Sequence, residues 1–530
     1  VVTMAGEPAD YRFADDAPVI AVSAHEAAEP GANDWFDLGV TVSVAGEDVP
    51  FQTLFTALAS DEDHLILDSG TWFRLDREEF ATLRRLIVEA RSLQDRPGQT
   101  LRITPYQAGL WEELVELGVV ASQSERWERT VTGLLSPEEM PTPDLPAGLT
   151  ATLRPYQVDG YRWLTQIWDL GLGGILADDM GLGKTLQMLA LAQRAMEAGE
   201  LTEPVLIVAP TSVLGTWASE AARFTPDLPV VVLAETMRRR GGELRDAIAG
   251  AALVVTSYAI FRIDEEHFQG QRWRALVLDE AQFVKNHQAK TYQCARRLEA
   301  PVKFAITGTP LENSLMDLWA LLSIVAPGVF PSPQRFGEIY RRPIEAGGAP
   351  EVLASLRRRI RPLMLRRTKE LVASELPPKQ EQVVQIALAP GHRRTYDRHL
   401  QRERQRVLGL IEDDFNANRI AILKSLTTLR LMALHPTLAD PAYSATVASA
   451  KVEALIEQLR EVASEGHRAL VFSQFTRFLA MIRERLDAEG ITYSYLDGRT
   501  RDRTARIEGF RSGTDPVFLI SLKAGGFGLT

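Results

Sequence analysis

Asp178-Asp179-Met180-Gly181-Leu182-Gly183-Lys184-Thr185 decides the reading of this 530-residue chain. An apolar run, Gly173-Gly174-Ile175-Leu176-Ala177, leads into it, and Leu186-Gln187-Met188-Leu189-Ala190-Leu191 follows. The first run predicts a short buried strand, and the second predicts a helix whose N-terminus faces the loop. Gly181 and Gly183 let the backbone come close, so several N–H groups can converge on anionic oxygens. Lys184 then reaches the β/γ-phosphates of a nucleoside triphosphate, and Thr185 offers a hydroxyl to magnesium. Such loops usually carry Gly six positions before the Lys, and here that place is Asp178.

A second motif lies 94 residues beyond Thr185. In Ala275-Leu276-Val277-Leu278-Asp279-Glu280 an apolar strand delivers two carboxylates at its end, where open α/β sheets place their ligands. Asp279 is suited to hold magnesium through water, and Glu280 to polarise an attacking water. Strand, acid pair and phosphate loop in this order predict a chain that handles ATP.

Asp279-Glu280-Ala281-Gln282, the Asp at position 178 and Leu365-Arg366-Arg367-Thr368-Lys369 resemble the Swi/Snf-type ATPases of helicase superfamily two. The resemblance runs from about Leu153 to Thr530, with nearly every family block in order. It implies catalytic positions at Lys184, Asp279, Glu280 and Gln282. Nucleotide contacts are implied at Arg154, at Gln157 on the adenine edge, and at Asp178, Asp179, Met180, Gly181, Leu182, Gly183, Lys184 and Thr185. Magnesium is implied at Thr185 and, through water, at Asp279. Pro210-Thr211-Ser212-Val213-Leu214 with Trp217, and Thr256-Ser257-Tyr258, resemble blocks that lie along the DNA backbone. Thr307-Gly308-Thr309-Pro310-Leu311-Glu312-Asn313 resembles the segment that couples nucleotide state to lobe movement. Val471 to Phe475, Tyr495 to Thr500 and Ser521 to Thr530 resemble second-lobe blocks, which adds Ser473, Gln474, Arg499 and Lys523 to the DNA candidates. The sequence stops directly after the Gly-Gly-Phe-Gly-Leu-Thr block. On the family pattern, the last block, with arginines that reach the γ-phosphate, would therefore be absent and the second lobe incomplete.

The fold class expected is α/β, with two RecA-like P-loop lobes, parallel sheets and helical insertions. Residues 1–140, with strand-like runs such as Val40 to Val44 and a helix from Glu78 to Ser92, form an accessory α+β region. Ser136-Pro137 through Pro146 reads as a linker. Residues 150–330 form the first lobe, 331–445 mainly helical insertions and a bridge, and 446–530 the second lobe. Leu429 to Pro436 resembles a family segment that usually carries Cys where this chain has Ala433.

Composition narrows the class further. With 45% hydrophobic residues the chain can fill large cores, and the single Cys294 excludes a disulfide framework. No apolar stretch approaches the roughly 20 residues of a bilayer span, and no basic-then-hydrophobic leader opens the chain. A reducing cytosol, in association with the nucleoid, is the expected setting. The net charge of −11 is unevenly spread: residues 1–150 hold 10 Arg, no Lys and 27 acids, a net of −17, against +6 for residues 151–530. Arg357-Arg358-Arg359, Arg361, Arg366-Arg367 and Lys369 crowd one stretch, and Arg393-Arg394, Arg398, Arg402, Arg404 and Arg406 another. Such runs are either solvated helix faces or sequence-independent phosphate contacts.

On the resemblance, the expected function is an ATP-dependent, monomeric translocase on double-stranded DNA that remodels or displaces protein–DNA complexes without separating strands. The last distinction comes from the resemblance. Two alternatives stay open: a recycling ATPase that acts on RNA polymerase, and an inactive or autoinhibited module whose acidic N-terminal region covers the basic cleft.

Overall fold

A computed structural model describes residues 11–26, 36–59, 62–92, 101–309, 314–330, 332–372, 381–440, 443, 449–500 and 502–525. The family-like stretches Pro310 to Asn313 and Gly526 to Thr530 lie outside the described residues. The chain divides into two compact units, Val1–Glu375 and Leu376–Thr530.

The first unit is built on a seven-stranded, all-parallel sheet. Its spatial order is Val230–Leu233, Leu253–Ser257, Val205–Ala209, Ala275–Asp279, Val302–Ile306, Gly174–Leu176 and Met364–Leu365. The central strands are near-continuous Val, Leu, Ile and Ala, as a sheet covered on both faces requires. Leu206, Val208, Val254, Leu276, Leu278 and Phe304 are fully buried. Register aligns Asp279 with Ile306 and Ile306 with Leu176. The carboxyl ends of three strands therefore stand side by side, about 5 Å apart per step.

Residues 11–135 form the expected α+β region. Glu47–Val49, Phe36–Val44, Val19–Glu26 and Val119–Gln123 make one sheet with Leu101–Ile103 beside it, and Arg12–Phe13, Thr71–Arg74 and His64–Ile66 make another. Phe36, Trp111 and Trp127 interlock in its core, Phe36 and Trp127 with ring centroids 4.8 Å apart. This region packs against the ATP-loop lobe within one unit. Gly173 N–H donates to the Tyr106 hydroxyl (3.2 Å), and Arg359 pairs with Glu113 at 2.7 Å, at 1% and 8% exposure.

The stretch from 331 to 445 does not behave as one bridge. Leu356, Arg359 and Ile360 of the helix Pro350–Ile360 are buried, and Met364–Leu365 becomes the edge strand of the first sheet. The first unit thus extends beyond residue 330 to Glu375. From Leu376 the chain enters the second unit, where one helix spans Pro390–Leu434.

The second unit carries a parallel sheet ordered Ala469–Ser473, Val517–Ser521, Tyr493–Leu496. Val517 and Leu519 pack with Leu479, Ile482 and Leu486 of the helix Thr476–Glu489 and with Ile456 of the helix Ala450–Ser464.

Candidate nucleotide-binding site

The strand Gly174–Leu176 ends in the phosphate loop, and Gly183 caps the helix Lys184–Glu197 at φ 73°. That left-handed backbone suits Gly, and a Cβ there would also collide with the Gln157 amide. The turn presents the free N–H groups of the first helical turn, an anion-binding end. Lys184 Nζ donates to the carbonyls of Asp178 (2.6 Å) and Asp179 (3.1 Å). Burial lowers its pKa, against the pull of Glu280, Asp178, Asp279 and Asp179.

Gln157 is buried at 7% exposure, and its amide is engaged twice. Its Oε1 accepts from Arg154 N–H (2.9 Å), and its Nε2 donates to the Leu182 carbonyl (3.2 Å). It therefore holds the loop in shape from behind. Arg154 and Met180 are exposed, and Asp179 and Thr185 half-buried.

Asp178, the residue that departs from the common loop pattern, is fully buried. Its carboxylate accepts from Nε (2.9 Å), Nη2 and the backbone N–H (3.1 Å) of Arg367. Asp179 N–H donates to the Arg367 carbonyl (3.0 Å), and Lys369 N–H to Asp179 Oδ2 (3.0 Å).

Two strands away, with Val302–Ile306 between, stands the acid pair. Asp279 Oδ1 accepts from Glu280 N–H (2.9 Å), Oδ2 accepts from the indole N–H of Trp217 (2.8 Å), and its carbonyl accepts from the Tyr258 hydroxyl (2.8 Å). Burial pushes Asp279 up to about 6, with Glu280 adding to the rise, while Trp217, Glu280 N–H and Lys184 oppose it. Glu280 sits in the left-handed region at φ 49°, ψ 55°. That conformation costs a non-glycine residue ~1–2 kcal/mol and turns its side chain out of the strand direction. Gln282 Nε2 donates to Glu280 Oε2 (2.9 Å), and Thr307 Oγ1, fully buried, donates to Gln282 Oε1 (3.0 Å). Glu280, Gln282 and Thr307 thus form one hydrogen-bonded line along the carboxyl edge of the sheet.

Hard oxygen donors, the Thr185 hydroxyl and the Asp279 carboxylate, fit magnesium. Among the described residues no group of three or more His, Cys, Asp or Glu could hold a metal by itself.

The candidates for DNA contact separate by burial. Thr211 is exposed and Ser212 half-buried on the turn Thr211–Val213. Trp217 is 2% exposed and donates to Asp279, Thr256 Oγ1 donates to the Leu233 carbonyl, and Ser257 Oγ caps Ile260 N–H. These three side chains therefore serve the interior; none is presented to a ligand on the surface. In the second unit Gln474 and Arg499 are exposed, and Ser473 Oγ accepts from Phe475 N–H (3.1 Å). Lys523 falls on the short helix Leu522–Gly525, its side chain outside the described residues.

The arginine clusters separate similarly. Arg358 pairs with Glu116 and Glu113, Arg359 with Glu113, and Arg367 with Asp178. Members of the first cluster thus staple the fold together. In the second, on the helix Pro390–Leu434, Arg393 pairs with Asp397 in an exposed (i, i+4) pair.

An all-parallel sheet with a glycine-rich phosphate loop, a strand-end acid pair and a Gln–Thr line beside it defines a P-loop nucleotide-site lobe. Residues 156–438 match the model of the SNF2-related domain, and 450–530 that of the helicase conserved C-terminal domain. The chain belongs to the SNF2 family. It is 31% identical over 500 residues to "Putative ATP-dependent helicase/translocase YwqA" of Bacillus subtilis, covering 90% of this chain and 53% of that protein. It is 34% identical over 399 residues to the ISWI chromatin-remodeling complex ATPase CHR17 of Arabidopsis thaliana, covering 72% and 37%. The chain thus spans about half of the first relative and little more than a third of the second. A solved SWI2/SNF2 ATPase core of Sulfolobus solfataricus in complex with dsDNA is 30% identical, covering 72% of this chain and 80% of that one, with a TM-score of 0.43. Among the described residues no helix is long and apolar enough to cross a membrane.

Proposed function

We propose that this chain is a DNA-dependent ATPase that hydrolyses ATP to ADP and phosphate, translocates on duplex DNA, and so remodels or displaces protein–DNA complexes. The observation that carries the reading is the line Glu280–Gln282–Thr307 beside the phosphate loop, in a chain of the SNF2 family.

Each residue has a task that its geometry supports. The N-terminus of the helix Lys184–Glu197 and the Lys184 ammonium bind the phosphates. Thr185 and Asp279 hold magnesium, which when bound neutralises charge that develops on the transferred phosphoryl group. Glu280 orients the attacking water and takes up its proton. Gln282, anchored by Thr307, keeps the Glu280 carboxylate in place and connects it to the segment that begins at Thr307. Exposed arginines of the helix Pro390–Leu434 offer sequence-independent phosphate contacts.

Steady-state ATP hydrolysis without nucleic acid, then with duplex DNA, single-stranded DNA and RNA, tests the reading, with Lys184→Ala as control. Stimulation by duplex DNA that vanishes in the control is expected. Equal rates under all four conditions would refute DNA dependence, and activity retained by Lys184→Ala would refute the site.

A further inference from the structure

We propose that Arg367 is a positioning residue for the phosphate loop, acting through Asp178; the role rests on the nucleotide reading above. The Asp178 carboxylate is fully buried and taken up by the Arg367 fork and backbone, so it faces away from any phosphate. Arg367 also donates Nη1 to the Tyr156 carbonyl and Nη2 to Gln187 Oε1 (3.0 Å). One guanidinium thereby ties the helix Pro155–Asp169, the start of the loop and the first turn of the helix Lys184–Glu197.

Two independent features show a place built for it. A Cβ at Gly160 would collide with Arg367 Nη2 and Gln187 Oε1, so that helix turn carries no side chain where the guanidinium lies. The backbone on either side is zipped onto the loop, Ala177 N–H to the Leu365 carbonyl (2.7 Å) and Asp179 N–H to the Arg367 carbonyl (3.0 Å). Only a planar, multidentate cation can serve these acceptors together, so Lys is no substitute. Asp178 therefore stands where other loops have Gly because of Arg367, and its carbonyl, fixed by that pairing, receives Lys184 Nζ.

The test is equilibrium titration of a fluorescent ADP analogue with magnesium, paired with thermal melting in its absence. The variants are Asp178→Gly, Asp178→Asn and Arg367→Lys, with Arg359→Lys as a comparably buried ion-pair control outside the loop. Asp178→Gly restores the common Gly-x-x-x-x-Gly-Lys-Thr pattern, yet it leaves Arg367 buried without its anion, and a buried charge without a partner distorts its surroundings. Affinity is expected to fall at least tenfold in the three loop variants. Arg359→Lys is expected to lower the melting temperature while keeping affinity within about twofold. Asp178→Gly binding as tightly as the parent, or Arg359→Lys losing as much affinity as Arg367→Lys, would overturn the proposal. If Arg367→Lys does not fold, the isosteric Asp178→Asn decides. A parent chain that binds no analogue refutes the nucleotide reading itself, and the positioning role falls with it.

Discussion

The indole N–H of Trp217 is donated to Oδ2 of Asp279 over 2.8 Å, in the interior of the first unit. Trp217 lies in the first turn of the helix Leu214–Phe224, directly after the exposed turn that holds Thr211 and Ser212. A helix that begins at a candidate DNA-backbone contact therefore grips the carboxylate suited to magnesium. Trp217→Phe keeps most of the ring and loses the donor. A hydrogen bond to a buried carboxylate is worth about 1.5–3 kcal/mol. The variant should require several-fold more magnesium for half-maximal hydrolysis and gain less from duplex DNA than the parent does, measured by magnesium titration with and without DNA.

The pH dependence follows from Asp279. Its folded pKa of about 6 lies above the ordinary 3.8, so the folded state holds a proton that the unfolded state has released. Its contribution to stability is fully present below about pH 4 and is lost as pH rises through about 6. Magnesium needs the opposite form. Magnesium-dependent nucleotide binding should weaken as pH falls from 7 to 5, and Asp279→Asn should remove that inflection; binding titrations across this range check both.

Glu280→Gln should still bind nucleotide while turnover falls by two or more orders of magnitude, and Lys184→Ala should lose most of the binding. Near-normal turnover in Glu280→Gln would show that another group orients the water.

Thr307→Val removes the donor that anchors Gln282 and changes little volume. The expected outcome is a kcat drop of about tenfold, roughly 1.4 kcal/mol, with KM nearly unchanged. A rise in KM alone would place Thr307 in binding instead.

Glu113→Ala strips the carboxylate from Arg359, which is 1% exposed. Breaking one partner of such a pair costs about 3–5 kcal/mol, so the melting temperature should fall by several degrees while nucleotide affinity stays put. Deleting residues 1–145 takes both Glu113 and the Gly109 carbonyl from the same arginine. Such a truncation tests the cohesion of the unit before it tests relief of any inhibition.

How much of this was legible in the sequence depends on the range of each interaction. The strand Gly174–Leu176, the helix Lys184–Glu197 and the helix Glu78–Ser92 follow from local pattern, and the structure places them where the pattern does. The strand Met364–Leu365 does not: two residues beside an arginine-rich run carry no period, and only pairing with Ile175 and Leu176 makes them a strand. Trp217 reads as a DNA-backbone neighbour from its motif, but its partner is 62 residues away. Arg358 and Arg359 read as a solvated face, with phosphate contact as the alternative, and the acids that claim them lie some 240 residues earlier. Charge runs show how many cations there are; only the fold shows which are already neutralised.

The two-residue strand Met364–Leu365 has a practical consequence for anyone cutting this chain into pieces. A fragment ended at 330, where the sequence alone suggests the first lobe closes, would leave Gly174–Leu176 as a bare edge with open N–H and C=O groups, the template on which sheets pair between molecules. It would also leave Asp178 without its cation at the root of the loop. A fragment carried to Glu375 keeps both, and the difference between the two should be visible on a sizing column as monomer against aggregate.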